Sequence, residues 1–383
     1  MRDLVGSVIV DAYVPAYGSA RRDAGLLLAI TIFMLLAGLI TVYSASSFLA
    51  QKQGFPDHFY LRQQASKALV GLVALYVLAR VDYRLYRWLA WPLLGVVSLA
   101  LLVLVLPGTD AIAPARNGAQ RWLEFGGMRV QPSEAAKLTL VIWTAALAAK
   151  KGDQIRSLRW GLAAFAVVYL LIGLLIVLEP DLSSAALIGI LGAIVLFAAG
   201  AKISHFMLLA LLAVPLLWGW IEAASYRITR LVAFFSGGGD TSGAGYQLHQ
   251  SLIAVGSGGL FGVGYGESVQ KYYFLPEPHN DFAFAIIAEE WGLMGVLAIA
   301  LSVAVLGAIG LRIARRAPDT FGFLLAVGLT AMIVVAALVH MGVSLGLLPT
   351  TGITLPFISY GGSSLVVSLA AVGILLNIGS WRA

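Results

Sequence analysis

The chain has 383 residues, of which 60% are apolar and only 11% are charged, with 42 glycines and no cysteine. Soluble globular proteins carry about 25% charged residues, so this composition indicates a chain that lies mostly in lipid. The absence of cysteine excludes disulfides, thiolate nucleophiles and thiolate metal sites. The net charge of +6 does not indicate a nucleic-acid partner, because the basic residues lie between apolar runs and not in one stripe.

Ten apolar runs are long enough, or nearly long enough, to cross a bilayer, which takes about 20 apolar residues in a helix. We predict helices, since a backbone in lipid must satisfy its own hydrogen bonds and these runs lack the alternation of barrel strands. The expected fold class is therefore an all-α polytopic membrane protein with about ten transmembrane helices. The predicted spans are 24–43, 66–78, 89–106, 135–149, 160–178, 182–199, 203–220, 282–311, 321–344 and 364–378.

The distribution of Lys and Arg predicts the orientation, because segments rich in these residues stay in the cytoplasm. Ten spans put both termini on one side. If that side is the cytoplasm, residues 1–23 form a loose cytoplasmic tail, 24–383 form the transmembrane domain, and 221–281 form a large extracytoplasmic loop between the seventh and eighth helices. The inner segments then hold fifteen of the 25 basic residues, although the outer loops are longer: Arg2, Arg21, Arg22, Arg80, Arg84, Arg87, Lys150, Lys151, Arg156, Arg159, Lys202, Arg312, Arg315, Arg316 and Arg382.

The segment 250–295 mixes glycines, polar groups and acids around the start of the eighth predicted span. Asp281 immediately precedes an apolar stretch, so we expect its carboxylate at a boundary between water and lipid. Partial desolvation raises a carboxylate pKa toward the range useful for a general base. The competing interpretation is a helix N-cap, a position that favours Asp. Lys271 and His279 could hold phosphate oxygens or could simply be solvated.

A second chemically dense segment, 117–137, runs into the fourth predicted span. Pro132 suits the first turn of a helix, so Glu134 and Lys137 should share one helix face. One interpretation is a local ion pair, with Glu near the positive end of the helix. The other is a binding site, because ionisable groups inside a span are costly and usually face a cavity. Arg121 could grip an anionic headgroup or anchor its loop at the interface.

A very short turn, Glu179-Pro180-Asp181, separates the fifth and sixth predicted spans. Since proline discourages an uninterrupted helix, we predict a tight helical hairpin, whose carboxylates could line the same outer cavity. His340 is expected to pack inside the bundle. The sequence contains no zinc-ligand spacing, P-loop or nucleophile elbow.

Four blocks of the sequence carry a resemblance to a known family. They are NGAQRWLEFGGMRVQPSEAAKL (117–138), LEPDLSSA (178–185), the stretch 243–290, and LPTTGITLPFISYGGSSL (348–365). In this order they resemble the FtsW/RodA family, the SEDS (shape, elongation, division and sporulation) membrane proteins of bacterial cell-wall synthesis, and the likeness extends over almost everything after residue 24.

Further short stretches bear on the branch of the family. QLHQSLIAVG (247–256), SVQK (268–271) and FLPEPH (274–279) look more like the division branch, FtsW, than the elongation branch, RodA. Two departures stand out. Ser183 and Ser184 occupy positions where the family often has Gly-Thr, and FSGGGDT (235–241) lacks a usual Asp-Pro.

The resemblance implies a peptidoglycan glycosyltransferase that polymerises lipid II at the outer face of the cytoplasmic membrane. A class B penicillin-binding protein would crosslink the product. Asp281 matches the family's essential acid and is the expected general base of a single displacement with inversion, since an α-linked donor becomes a β-linked product. Glu134 and Lys137 match the family's cavity pair. The candidates for headgroup or pyrophosphate contacts are Arg121, Gln131, Lys271 and His279.

Other functions stay open at this point. A RodA-type elongation polymerase is the nearest alternative, a lipid II flippase would need alternating access without a catalytic carboxylate, and a divisome scaffold would need no chemistry. A divalent cation could bridge pyrophosphate to Glu134 or Asp281, although no dedicated ligand spacing is present. The expected partners are the penicillin-binding protein, other division or elongation proteins, lipid II and membrane lipid.

Overall fold

The computed structural model describes residues 18–115, 119–126, 128–209, 211, 234, 243–272 and 274–380. Most of the predicted cytoplasmic tail and part of the predicted outer loop lie outside these ranges. Helix α1 begins at Gly18, inside the predicted tail. The long helices are α1 Gly18–Lys52, α2 Phe59–Leu78, α3 Leu85–Val105, α4 Pro132–Lys151, α5 Ala163–Leu178, α6 Leu182–Ala198, α7 Gly243–Ser257, α8 Ala283–Arg315, α9 Thr320–Ser344 and α10 Gly362–Ser380.

Six of the described helices are long and apolar enough to cross a membrane: Arg22–Lys52, Leu85–Val105, Leu158–Leu178, Ala283–Arg315, Thr320–Ser344 and Gly362–Ser380. Helices α2 and α4 coincide with predicted spans but carry more polar and charged residues, and α6 is a shorter apolar helix. The seventh predicted span is helical over 203–209, and most of its remainder lies outside the described residues. The chain is thus mostly helical, with several candidate spans.

Helices α4 and α9 occupy the interior of the bundle. Both are buried along most of their length, and a helix that is apolar on nearly all sides is typical of such a position. Helix α10 packs against α2, and the approach is so close at Gly373 that a Cβ there would collide with the backbone of Leu75. The interior position of α4 places the charged pair at its N-terminal end inside protein.

Helix α8 is broken at Gly292, which has a left-handed backbone with φ 65° and ψ −160°. The sequence predicted one run here without a break. The backbone groups freed by the break pair with the glycine-rich loop: the Leu293 N–H donates to the Gly259 carbonyl at 2.9 Å, and the Val263 N–H donates to the Glu289 carbonyl at 2.9 Å. The glycines therefore form a compact loop that completes the hydrogen bonding of the broken helix.

Helix α7 lies within the predicted outer loop 221–281, for which no helix was expected from the sequence. Its Leu248 and Ala254 are buried, and the Ser251 hydroxyl donates to the Ser344 carbonyl at 2.9 Å at the end of α9. Polar residues interrupt the apolar pattern of this stretch. Tertiary contacts therefore stabilise a helix that its own pattern does not indicate.

One antiparallel hairpin departs from the all-α expectation. Strand β1 (Leu123–Phe125) pairs with β2 (Met128–Val130), and Glu124 lies opposite Arg129. An ion pair of 2.9 Å joins these two side chains. The hairpin leads directly into α4 and so fixes where that helix begins.

Candidate functional site

Asp281 lies in the loop between α7 and α8, where it is partly buried. Helix α8 begins at Ala283 with Phe282 at the N-cap position, so Asp281 does not occupy the cap that the competing interpretation assigned to it. The Asp281 N–H donates to the Glu277 carbonyl at 3.1 Å, and Glu277 has a positive φ of 48°. A tight turn therefore delivers the carboxylate to the N-terminal end of α8, whose dipole favours negative charge.

His279 packs between two tyrosines just before Asp281. Its ring centroid lies 5.0 Å from that of Tyr60 and 5.4 Å from that of Tyr360, and its carbonyl accepts the Tyr360 N–H at 2.8 Å. The residue is 3% exposed, so the interpretation that His279 is simply solvated is wrong. Burial lowers the pKa of His279 to about 4, which keeps the imidazole neutral near pH 7. Among the described residues, its Nδ1 has no hydrogen-bond partner.

Residues 360–363, which end the loop before α10 and begin that helix, are called here the 360–363 turn and join the loop of Asp281 to α4. On one side Tyr360 contacts His279. On the other, the Gln131 N–H donates to the Ser363 hydroxyl at 2.9 Å, and Gln131 is the N-cap of α4. The Lys67 ammonium of α2 lies 4.9 Å from the centroid of the Tyr360 ring. The turn thus brings together three elements that are far apart in sequence.

Glu134 and Lys137 form a buried ion pair in the first turns of α4. Pro132 is at the start of the helix, as predicted, and the Lys137 nitrogen lies 2.7 Å from a Glu134 carboxylate oxygen. Their side chains are 9% and 6% exposed. The prediction that they share one face is confirmed. A pair so deeply buried is expensive to desolvate, so its geometry is compatible both with a local ion pair and with a site lined by protein.

Arg121, just before strand β1, anchors its segment to the turn between helices α5 and α6. Its Nε donates to the Glu179 carbonyl at 3.0 Å, and its guanidinium also donates to the Pro180 carbonyl. The tight helical hairpin is confirmed, since α5 ends at Leu178 and Asp181 caps α6 by accepting from the Ser184 N–H at 3.1 Å. These contacts support the anchoring interpretation of Arg121. A headgroup contact stays a prediction.

Glu179, which follows the last residue of α5, is an acid buried inside the protein. It is 2% exposed, and neither carboxylate oxygen has a hydrogen-bond partner among the described residues. Its pKa is raised to about 9, chiefly by desolvation and also by the negative charge of Asp181, while the positive charge of Arg121 opposes the shift. Glu179 is therefore protonated near neutral pH.

Lys271 is buried and paired. Its ammonium lies 3.2 Å from a Glu290 carboxylate oxygen and 3.2 Å from the Ser44 hydroxyl, and it also donates to the Gly266 carbonyl. The interpretation that Lys271 is a solvated outer residue is wrong, because only 6% of it is exposed. Its contacts lie on α1 and α8, whereas those of His279 lie on α2 and the 360–363 turn. A pyrophosphate contact by Lys271 stays a prediction.

Sequence reasoning missed three residues that surround Tyr360. Tyr60 and Lys67 belong to α2, where no motif pointed to them, and Arg129 belongs to the hairpin. Burial raises the pKa of Tyr360 to about 12, and the nearby positive charge of Arg129 opposes this shift. The 360–363 turn therefore has cationic surroundings suited to an anionic ligand. Within the described ranges no three His, Asp or Glu side chains come together as metal ligands, and a bridging cation stays a prediction.

Comparisons with known sequences assign the chain to a family. A family model covering FtsW, RodA and SpoVE, described as cell cycle protein, matches residues 25–382. The chain is 42% identical over 355 residues to stage V sporulation protein E of Bacillus subtilis, across 92% of this chain and 96% of that protein. It is 40% identical over 358 residues to the "Probable peptidoglycan glycosyltransferase FtsW" of Geobacter metallireducens, across 94% of each. The chain belongs to the FtsW/RodA/SpoVE family.

Solved structures are similar over nearly the whole chain. A chain of the structure described as "Structural coordination of polymerization and crosslinking by a peptidoglycan synthase complex" is 28% identical, with a TM-score of 0.76, across 92% of this chain and 96% of that one. The crystal structure of the rod shape determining protein RodA of Thermus thermophilus is 28% identical, with a TM-score of 0.67, across 92% and 95%. The helical bundle is thus shared with RodA and with a chain of a peptidoglycan synthase complex.

Proposed function

We propose that the chain is a peptidoglycan glycosyltransferase that polymerises lipid II into glycan strands for septal cell-wall synthesis. The observation that carries this proposal is the 360–363 turn, which contacts both the loop that bears Asp281 and the end of α4 that bears Glu134 and Lys137. An acid near a cationic, protein-lined region suits a reaction that removes a proton from one sugar and releases pyrophosphate from another. Relatives of about 40% identity named as peptidoglycan glycosyltransferases support it.

In the proposed reaction Asp281 accepts the proton of the acceptor hydroxyl. The acceptor oxygen then bonds to the anomeric carbon of the donor, the bond from that carbon to the lipid pyrophosphate breaks, and the electron pair leaves with the pyrophosphate. One displacement inverts the α-linked donor into a β-linked product. Lys137, held by Glu134, would stabilise negative charge on the leaving pyrophosphate, and neutral His279 would donate or accept a hydrogen bond at the headgroup. Gln131 and Arg121 are proposed to line the same region.

The proposed topology has ten spans, both termini in the cytoplasm and the α7 region outside the bacterial cytoplasmic membrane. Helix α8 supports this arrangement. The part of α8 after the break at Gly292, residues 293–315, has about 23 residues and at about 1.5 Å per residue measures roughly 35 Å, enough to cross a bilayer. Arg312, Arg315 and Arg316 lie at its C-terminal end, which the positive-inside rule assigns to the cytoplasm. Asp281 precedes the other end and would then face the outer surface, where the growing glycan lies.

A class B penicillin-binding protein is the proposed partner. The description of the similar complex joins polymerization to crosslinking, which supports a transpeptidase partner for this chain as well. The division branch is favoured over elongation by the FtsW names of several relatives of about 40% identity. Because these relatives are named FtsW, we also propose other division proteins as partners.

Reconstitution tests the proposal against its alternatives. Purified chain, its penicillin-binding partner and fluorescent lipid II are mixed in detergent, and the products are separated on a gel. Glycan ladders made by the wild type and not by Asp281→Asn are expected. If no polymer forms with the partner present while the chain moves lipid II across vesicles, the flippase explanation replaces this one. Rescue of cells depleted of RodA, and not of cells depleted of FtsW, would assign the chain to elongation.

A further inference from the structure

Two adjacent carboxylates, Glu289 and Glu290, lie just before the break in α8 and are 2% and 3% exposed. Glu290 accepts a hydrogen bond from the Ser44 hydroxyl of α1 at 2.5 Å and pairs with the Lys271 ammonium at 3.2 Å. Residues Ser44, Lys271 and Glu290 are called here the clamp. It ties together α1, α8 and the loop that ends at Asp281.

Glu289 holds the same loop beside the clamp. One carboxylate oxygen accepts from the Ser268 hydroxyl at 2.5 Å, and the other accepts from the Val269 N–H at 2.9 Å. Ser268 is fully buried. Both acids of α8 therefore bind the segment 268–271, ten or more residues before Asp281 in the chain.

The loop 268–281 is consequently fixed to α8 at both ends. Its first residues bind the side chains of Glu289 and Glu290, and its last residue leads into α8 at Ala283. Between these ends Leu275 is 1% exposed and packs beside Phe282. The backbone segment that leads to Asp281 is thus held between two attachments to α8.

The chemistry of the clamp argues against a role in stability alone. Burying a Lys and a Glu is costly, and an apolar pair of similar volume is often as stable or more so. Ionisable groups at membrane depth usually have a functional reason. In addition, the Lys271 ammonium makes polar contacts with Glu290, Ser44 and the Gly266 carbonyl, all within the protein.

We infer that Lys271 and Glu290, with Ser44, are positioning residues that orient Asp281 for the reaction. Lys271 then acts through Glu290 and does not touch the pyrophosphate. This inference rests on the proposed function, because Asp281 must be the base for its orientation to matter. It departs from the prediction drawn from the sequence, in which Lys271 contacts the substrate directly.

A double-mutant cycle separates the two roles of Lys271. Positioning predicts that Lys271→Met, Glu290→Gln and the double variant lower kcat by a similar factor, about 10- to 100-fold, with KM for lipid II nearly unchanged. Direct contact predicts instead a raised KM in Lys271→Met and little effect of Glu290→Gln. Because a single change leaves a buried unpaired charge and can prevent folding, the neutral double variant is the decisive one. A double variant that melts like the wild type and keeps the wild-type kcat would overturn the inference.

A second readout does not depend on activity. The chain has no cysteine, so Leu275→Cys gives a single buried thiol in the loop. Its labelling by a maleimide should be slow in the otherwise native protein and clearly faster in the Lys271→Met/Glu290→Gln background. Gln51→Cys, an exposed position in α1, should label equally in both. Unchanged labelling of Leu275→Cys would refute the clamp, even if polymerisation were lost. Faster labelling, in a protein whose wild type does not polymerise lipid II, would instead show that only the proposed function has failed.

Discussion

The Lys137 ammonium lies 2.7 Å from a Glu134 carboxylate oxygen, with both side chains more than nine-tenths buried at the start of α4. Removing one partner leaves an uncompensated charge inside the bundle. Lys137→Ala and Glu134→Ala should each lower stability by about 3 to 5 kcal/mol and impair polymerisation.

The neutral double variant Glu134→Gln/Lys137→Met distinguishes a site from a local ion pair. It should regain much of the thermal stability in detergent, because no lone charge remains, but should stay defective on lipid II. Recovery of both stability and activity in this variant would show that the pair is only structural. Thermal unfolding and glycan gels measure the two properties on the same preparation.

Asp281→Asn should abolish polymerisation while leaving membrane insertion and binding of the penicillin-binding partner intact. Asn keeps the size of the side chain but accepts no proton at neutral pH, and general-base catalysis contributes on the order of a hundredfold to ten-thousandfold. A gel of labelled glycan measures the rate. Asp110→Asn, an exposed acid in the segment after α3, is the matched control and should remain active. A near wild-type rate for Asp281→Asn would refute the assignment of the base.

His279 should make the wild type sensitive to acid. Its pKa is lowered to about 4, so between roughly pH 6.5 and pH 4 the unfolded chain binds a proton that the folded chain does not. Folding stability from this group therefore falls as the pH drops through that window. His279→Asn should lose less stability than the wild type between pH 7 and pH 4.5, as measured by thermal unfolding. The exposed His58→Asn serves as control, and identical pH profiles for wild type and His279→Asn would contradict the prediction.

Glu179 should have the opposite pH dependence. Its pKa is raised to about 9, so from its ordinary value near 4.5 up to about 9 the folded chain holds a proton that the unfolded chain has released. Stability from this group falls as the pH rises. Glu179→Gln should therefore be at least as stable as the wild type, with a difference that grows between pH 6 and pH 9. Parallel unfolding curves across that range would show that Glu179 is ionised in the folded protein.

The cation distribution makes a prediction about topology. Because the chain has no cysteine, single cysteines can be introduced as labels. Asp110→Cys should react with an impermeant maleimide added outside the cell. Asp153→Cys, which follows α4, should not react. A reporter fused at Gly239, which lies outside the described residues, should also report an outer location. A cytoplasmic reading at Gly239 would exclude the ten-span arrangement with both termini inside.

Much of the site could be predicted because it depends on short sequence separations. Pro132, Glu134 and Lys137 fall within two turns of one helix, so their shared face follows from helix geometry. The tight turn at Glu179 to Asp181 follows from a proline between two apolar runs. The contact of His279 with Tyr60 and Tyr360 has no comparable signal, since these residues are far apart in the chain and meet only when α2 and the 360–363 turn pack together.

By itself the sequence determined that this protein is a helical membrane protein, where most of its helices lie, and to which family it belongs. Apolar composition and the hydrogen-bonding demand of a backbone in lipid leave little other choice. Only the tertiary structure decided the partners of the buried charges. Lys271 pairs with Glu290 and Ser44, and Arg121 binds the turn after α5, because bundle packing sets which polar groups meet in the interior. The break at Gly292 likewise depends on a loop more than 25 residues earlier that supplies the missing hydrogen bonds.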